Sequence, residues 1–505
     1  MKKKVIVVGA GVAGLASAIR LQHAGYQVEL YEKGSTPGGK MNRIEVDGYK
    51  FDLGPTIVMM PELYREIFEL CGRNPDDYIP MEQLDPIYRA YFSDIPDTPF
   101  DISSDLVKLT KTIASISEED TEGFFRYLHE IFRIFTVAKQ HILQRPFRNR
   151  GDFYNLSMLK KVSKLGKFST ADNFIGKYIK NERLRQLISF QTLYIGISPK
   201  KSPSFYTMIP MIQFVYGVWF IKGGMYTMAL GMEKLFKELG GEIFYDKNVQ
   251  EISIHNRQAT GIIVDDEKID ADFVVCNADF PYAMKNLIKA PEAKGKYTDK
   301  KIDNMESSCS CFLLYLGMDR KYEEVEHVHN FVFTENLNKN LDDIFAGNKL
   351  TDASFYVYIA SKMDSSLAPE GKDGLYILMP VSNAASAKYE WDQETINEYR
   401  GYILNTLKTI QGFENIENEI VAETCITPLD FESKFNAHQG AAFGLQPTLS
   451  QSSHRRPQSK ATGCSNLYFT GSSTHPGAGV PIVLLSAKIA TQELIQDDTG
   501  TVFDY

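Results

Sequence analysis

Residues 5–8 (VIVV) form an apolar run of strand length, then glycines, then a segment that continues amphipathically through Arg20, Leu21 and Gln22. A second strand ends at Glu32, so residues 1 to about 60 read β-α-β, with another glycine turn at Gly38-Gly39-Lys40. From about 90 to 221 the pattern becomes largely helical. Residues 122–143 (EGFFRYLHEIFRIFTVAKQHIL) place apolar side chains at helical intervals. Gly223-Gly224 restarts the first pattern, with a helix over 225–239, a strand at 242–246 and alternating strands over 249–254, 260–266 and 273–279. Mixed structure fills 286–425, with strand signals at 311–318, 355–360 and 376–380. A strand at 466–471, a glycine-rich loop and a helix over 481–495 close the chain, and the acidic tail from Gln496 is expected to be mobile.

The first turn, Gly9-Ala10-Gly11-Val12-Ala13-Gly14, has the spacing that dinucleotide binding requires. Gly9 permits the turn, Gly11 lets a pyrophosphate approach the backbone, and Gly14 lets the helix pack closely on the sheet. The helix start then faces the phosphates with free N–H groups and a partial positive charge. Glu32 stands where a carboxylate can accept ribose hydroxyls. Two features favour FAD over a nicotinamide cofactor. Gly38-Gly39-Lys40 offers backbone N–H groups and a cation directly after that acid, and the late strand-turn-helix at 467–482 offers a second helix N-terminus. No second G-x-G-x-x-G follows a strand, so oxygen or a quinone is the expected electron acceptor. The resulting expectation is an α/β fold. A discontinuous Rossmann-like FAD-binding domain (1–90, 222–285 and 426–505) interleaves with a mixed α+β substrate-binding domain (91–221 and 286–425) that carries a helical, membrane-facing part.

Charge sharpens this picture. The net charge of −9 over 505 residues argues against a general nucleic-acid binder. Between Arg145 and Lys201, however, thirteen Lys or Arg face only three acids, Asp152, Asp172 and Glu182. Residues 202–221 follow with no charge at all, close to the ~20 residues of a membrane span. Pro210, Gln213 and Gly217 speak against a span. A cationic face beside an apolar segment suits a protein lying on an anionic lipid surface through 145–201, each cation contributing roughly 1 kcal/mol. The alternative is a solvated basic helix followed by a buried core segment. Three lysines before the first apolar run imitate a secretory signal, but the glycine register explains that run, so a cytoplasmic protein on the inner face of the cell membrane is expected. Six cysteines without a C-x-x-C pair read as reduced, buried thiols, with Cys309 and Cys311 on one strand face.

Longer motifs go further. VIVVGAGVAGLASAIRL, YEKGSTPGGKMNRIEVDGYKFDLGPTIVMMP, FQTLYIGISPKKSPSFYTMIPMI, FIKGGMYTMALGM and LYFTGSSTHPGAGVPIVLLSAKIA appear in order along the chain. With them it resembles, nearly end to end, the bacterial-type carotenoid and phytoene desaturases, within the wider amine-oxidase-like flavoproteins. PTIVMMP and THPGAGVPIVL carry a narrower match to the branch acting on C30 precursors. The resemblance implies an FAD enzyme that desaturates an acyclic polyene stepwise: a hydride leaves an allylic carbon for the flavin and a proton leaves the neighbouring carbon. Alignment and exclusion of water are then the protein's task, and no Ser-His-Asp triad or carboxylate dyad is expected. A hydrocarbon substrate calls for an apolar tunnel, which 31 Phe, 27 Tyr and 16 Met can line. It also calls for direct extraction from a membrane, because exposure to water costs ~0.8 kcal/mol per CH₂.

Motif matching implies that Val8, Gly9, Ala10, Gly11, Val12, Ala13, Gly14, Glu32, Lys33, Gly39 and Lys40 contact FAD. It places Gly54, Pro55 and Thr56 near the flavin ring, Val249 against adenine, and Gly471, Ser472 and Val480 in the late FAD segment. Lys40 stands where relatives often carry Arg, which keeps the charge and loses the bidentate fork. Ser472 stands where the superfamily often has an acid. No catalytic residue is identified, although His475 in the glycine loop is a candidate for assisting proton removal, against a purely structural role. His327 and His329 lack a third ligand, so no metal is expected. Asp52 either orients the flavin loop or caps a turn, and Gly223-Gly224 is read as a domain-crossing turn. The competing functions are a diapocarotenoid terminal oxidase, a C40 phytoene desaturase, an amine oxidase, and a prenyl-lipid escort protein without redox chemistry.

Overall fold

In the computed structural model, residues 2–503 are described apart from 149, 157, 159 and 161–168. A five-stranded parallel sheet runs in the order Leu467–Phe469, Phe273–Cys276, Lys4–Val8, Gln27–Tyr31, Glu242–Phe244. It is buried on both faces, which is why its central strand reads as unbroken Val and Ile. Val5, Val7 and Val275 point to a helical layer of Val12–His23, Tyr226–Glu238 and Val480–Thr499. Ile6, Val8, Val274 and Cys276 point the other way, against an antiparallel sheet of Val249–His255, Gln258–Val264 and Glu267–Asp270. The period of two along each strand thus separates two cores.

The second layer is a seven-stranded sheet: Ile420–Ile426, Ser310–Met318, Gly374–Val381, Phe355–Tyr358, His329–Phe333, Tyr88–Phe92, Phe100–Ile102. Its pairs are antiparallel except Tyr88–Phe92 with His329–Phe333. The helices Leu106–Ile116, Thr121–Ala138, Glu182–Ser189 and Met208–Tyr216 contribute to the same core. Thr121–Ala138 buries Phe124, Tyr127, Ile131, Ile134 and Phe135 on one stripe, as its 3.6-residue spacing requires.

Several expectations need correction. The break placed at residue 90 falls inside the strand Tyr88–Phe92, and Phe100–Ile102 is a strand in a region read as helical. The uncharged run 202–221 is split by Gly217 into the helix Met208–Tyr216 and the strand Val218–Ile221, which pairs with Met81–Leu84. Its residues 208–214 are all buried, so most of this segment is interior, while Val215 at the end of the helix is 48% exposed. No helix among the described residues is long and apolar enough to cross a membrane. The acidic tail is not loose at its start: Asp497 accepts from Tyr468 (2.6 Å) and pairs with Lys460, and Asp498 accepts from Tyr26 (2.8 Å). Several cations of the basic run already hold carboxylates. Arg148 pairs with Glu493, Arg183 with Asp94, Arg185 with Asp172 and Lys200 with Asp342. Lys161, Lys164 and Lys167 lie outside the described residues.

Candidate cofactor and substrate cavity

A cavity of about 570 Å³ begins at the C-terminal ends of the parallel strands and passes under the seven-stranded sheet. Ligands of open α/β sheets bind at that strand end. Of the residues expected to contact a dinucleotide, Val8, Gly9, Gly11, Val12, Ala13, Glu32, Lys33, Gly39, Lys40, Gly54, Pro55, Thr56, Val249, Gly471, Ser472 and Val480 line it. Three separated stretches of the chain therefore meet in one place. Ala10 and Gly14 do not line it. Ala10 donates its N–H to Glu32 Oε2 (2.7 Å), and its carbonyl accepts from Gly38 N–H (2.8 Å), which ties the first glycine turn to the second. A Cβ on Gly14 would meet the carbonyl of Gly9, so this glycine shapes the turn from behind.

The far end is apolar and aromatic, walled by Phe135, Phe190, Leu193, Met208, Ile209, Ile212, Phe331, Phe333 and Leu378. Between the two ends sits the loop 53–56, held by three tyrosines from the large sheet. Tyr315 donates to the Leu53 carbonyl (2.6 Å), Tyr376 donates to that of Gly54 (2.8 Å), and Tyr356 shares a hydrogen bond with Thr56 (2.8 Å). Asp52 lies just behind, 6% exposed, and accepts from the N–H of Tyr226 (3.1 Å). Burial raises its carboxyl to about 6. A Cβ on Gly224 (φ +84°) would sit 2.8 Å from Asp52, so the second glycine pair wraps this acid. Gly223 donates its N–H to Asp364 (2.8 Å) and accepts from Arg43 (2.7 Å), and neither glycine lines the cavity.

The profile of the flavin containing amine oxidoreductase family matches residues 12–495. The chain belongs to this family. Within the family, it is 43% identical over 496 residues to the 4,4'-diapophytoene desaturase (4,4'-diaponeurosporene-forming) of Staphylococcus haemolyticus, covering 98% of this chain and 99% of the relative. The same-named protein of Staphylococcus aureus strain Newman is 43% identical over 498 residues, with the same coverage. Among solved structures, an oxidoreductase from Methanosarcina mazei shares the fold, with a TM-score of 0.65 at 19% identity, over 97% of this chain and all of that one.

The cavity suits the FAD that this flavin family implies. Gly11 is the N-cap of Val12–His23 and Gly479 that of Val480–Thr499, and neither helix has a side-chain cap. Their first N–H groups remain free for phosphate or ring oxygens. A Cβ on Gly39 would come 3.3 Å from Gly11 Cα, so side chains there would close the cradle. Glu32 fixes its carboxylate with N–H bonds from Ala10 and Gly34 (2.8 Å) at the end of the second strand, where a ribose would lie. Lys40 is a half-buried cation whose Nζ donates to the Ala442 carbonyl (2.9 Å), and its desolvation lowers its pKa.

His475 does not line the cavity. Its Nε2 donates to the carbonyls of Arg145 (2.9 Å) and Ile142 (3.1 Å), and its ring packs edge-on against Phe147, strapping the glycine loop to the segment that follows the helix Thr121–Ala138. Burial lowers it to about 4, so it is neutral. His327 pairs with Asp101 and His329 with Tyr356, so the two imidazoles serve different partners. Cys309 and Cys311 are buried, and burial raises Cys309 to about 12. Sequence reasoning missed two residues. Asn277, the first residue past the strand Phe273–Cys276, lines the cavity and donates to the Gly9 carbonyl (3.3 Å); its place at a parallel strand's end was a usable signal. Arg456, fully buried, donates to the carbonyls of Leu445 (3.0 Å), Gln451 (3.1 Å), Ser472 (2.5 Å) and Thr474 (3.1 Å) and so shapes the glycine loop. Burial lowers its pKa to about 10, and nothing local in the sequence marks it.

Proposed function

We propose that this chain desaturates the C30 polyene 4,4'-diapophytoene to 4,4'-diaponeurosporene-type products. The observation that carries the reading is a single cavity that is glycine-lined at one end and aromatic at the other, in a chain 43% identical end to end to desaturases of that name. When bound, the flavin supplies the acceptor to which a hydride leaves the substrate's allylic carbon. The protein's share is binding and alignment. Val8 to Gly14, Glu32, Lys33, Gly39, Lys40, Val249, Gly471, Ser472 and Val480 would hold the dinucleotide, with Ala10 and Gly14 acting through the turn. Gly54, Pro55 and Thr56 would lie beside the ring, in a loop that the three tyrosine hydroxyls fix. The aromatic end excludes water and offers a hydrocarbon only dispersion contacts.

In this reading 1–90, 222–285 and 426–505 form the cofactor part, except that the strand Tyr88–Phe92 and Ile426 belong with 91–221 and 286–425 to the substrate part. That all five parallel strands come from the first set supports it. The substrate would enter from an anionic bilayer on the inner face of the cell membrane, and a quinone or oxygen would take the electrons. The cationic excess between Arg145 and Lys201 supports the first of these, reduced by the four cations already paired.

Co-expression with a C30 or a C40 synthase, followed by pigment analysis, tests the substrate. Colour with the C30 partner is expected. Colour with the C40 partner alone overturns the assignment.

A further inference from the structure

Desaturation releases a proton along with the hydride, and that proton needs an acceptor. Of the hydroxyls in the cavity wall, that of Tyr356 is backed by an imidazole. Tyr356 lines the cavity, and its Oη lies 2.8 Å from Thr56 Oγ1 and 2.6 Å from His329 Nδ1. His329 lies behind the wall, 2% exposed, with its ring stacked on Tyr358 (5.2 Å between centroids, 12° between planes). Its Nε2 has no hydrogen-bond partner among the described residues.

A hydroxyl has one donor and two lone pairs. With Thr56 donating to Tyr356 and Tyr356 donating to Nδ1, one lone pair of the phenol oxygen remains open. Several other polar groups of the cavity wall are engaged in holding the loops around it. Tyr376 donates to Gly54 and Lys40 Nζ to Ala442, while Asp279 accepts from Ser473 and from His438 N–H. The Tyr194 hydroxyl has no hydrogen-bond partner among the described residues.

We propose that Tyr356, relaying to His329, accepts the proton lost from the carbon next to the hydride-losing carbon. The proposal rests on the desaturase reading above. Loss of hydride leaves the polyene cationic, and a C–H bond beside that charge is acidic enough for a neutral phenol–imidazole pair. The C–H bond breaks, and its electron pair becomes the second bond of the new C=C. The proton forms an O–H bond at Tyr356 while Tyr356's own proton moves to His329 Nδ1. An external two-electron acceptor of the quinone or dioxygen class later takes the hydride's electrons and proton together with the proton held on His329, which restores the neutral pair. Burial lowers His329 to about 3, so it is neutral before reaction.

The test uses purified flavin-loaded protein with 4,4'-diapophytoene in liposomes, in H₂O and in D₂O. Wild type is compared with Tyr356→Phe, His329→Asn and Tyr194→Phe. Tyr356→Phe should lower kcat about 10²-fold or more, with KM and bound flavin unchanged and the solvent isotope effect of wild type abolished. His329→Asn keeps an acceptor for the Tyr356 hydroxyl yet cannot take up a proton, and should fall as far. Tyr194→Phe should remain within twofold of wild type. A Tyr356→Phe enzyme that turns over like wild type, a His329→Asn enzyme that keeps its rate, or a wild type with no solvent isotope effect on product formation overturns the relay. A wild type that makes no product refutes the underlying desaturase reading instead.

Discussion

Gly11 and Gly14 sit three residues apart in one turn, and the structure assigns them separable tasks. An alanine Cβ at Gly14 would lie 3.0 Å from Asn277 Nδ2 and 3.1 Å from the Gly9 carbonyl carbon, and closer still to the Gly9 oxygen. The obstacle is backbone of the turn that follows the buried strand Lys4–Val8, so it cannot rotate away. Overpacking of this kind costs about 1–3 kcal/mol or more, against about 0.5–1 kcal/mol returned by replacing glycine inside a helix. Gly14→Ala should therefore lower the melting temperature of flavin-free protein. At Gly11 the nearest obstacle is a side-chain amide, Asn277 Nδ2 at 2.7 Å, and the backbone φ of −66° suits any residue. Gly11→Ala should leave flavin-free stability within about 1 kcal/mol of wild type. Its methyl group enters the cradle, however, and tenfold weaker FAD binding, about 1.4 kcal/mol, is the minimum expected. Melting with and without FAD, alongside a fluorescence titration of FAD, separates the two. Wild-type FAD affinity in Gly11→Ala would refute the placement of the pyrophosphate, and wild-type stability in flavin-free Gly14→Ala would refute the packing argument.

Three further outcomes follow from the geometry. His475 is held neutral, with a folded value of about 4 against an ordinary 6.5, so the unfolded chain binds more protons in that interval. Stability should fall as pH drops from 6.5 towards 4, by about 3 kcal/mol from this group, and His475→Asn should flatten the melting temperature over that range; an unchanged slope refutes the assignment. Arg456→Met leaves the four carbonyls it serves without their donor and should cost at least about 2 kcal/mol, with reduced flavin content. Arg456→Lys should recover less than half of that, because one ammonium cannot span the fork. Liposome sedimentation should depend on anionic lipid and weaken when Lys160, Lys161, Lys164 and Lys167 become Gln, and unchanged sedimentation removes the basic run from the account.

The parallel sheet was legible because local chemistry and fold agree there. The central strand is uniformly apolar since both its faces are buried, and the glycines fall where turn, cradle and packing need them. The seven-stranded sheet was legible only in fragments. Its strands come from 88–102 and from 310–426, and no local pattern announces that Tyr88–Phe92 pairs with His329–Phe333. The uncharged run 202–221 misled because an interior helix and a membrane segment share one composition, and only the strand pairing of Val218–Ile221 with Met81–Leu84 separates them. Contacts set by tertiary structure stayed hidden for the same reason. The carbonyl cage of Arg456 and the Tyr356–His329 pair join residues with no sequence relation to one another.

Anaerobic mixing of the yellow, flavin-loaded protein with 4,4'-diapophytoene in liposomes tests the junction of cradle and tunnel most directly. Oxidised-flavin absorbance should fade in step with the rise of longer-wavelength polyene bands, one flavin per double bond formed. Flavin that stays oxidised while the substrate is demonstrably bound would contradict a single cavity joining the two.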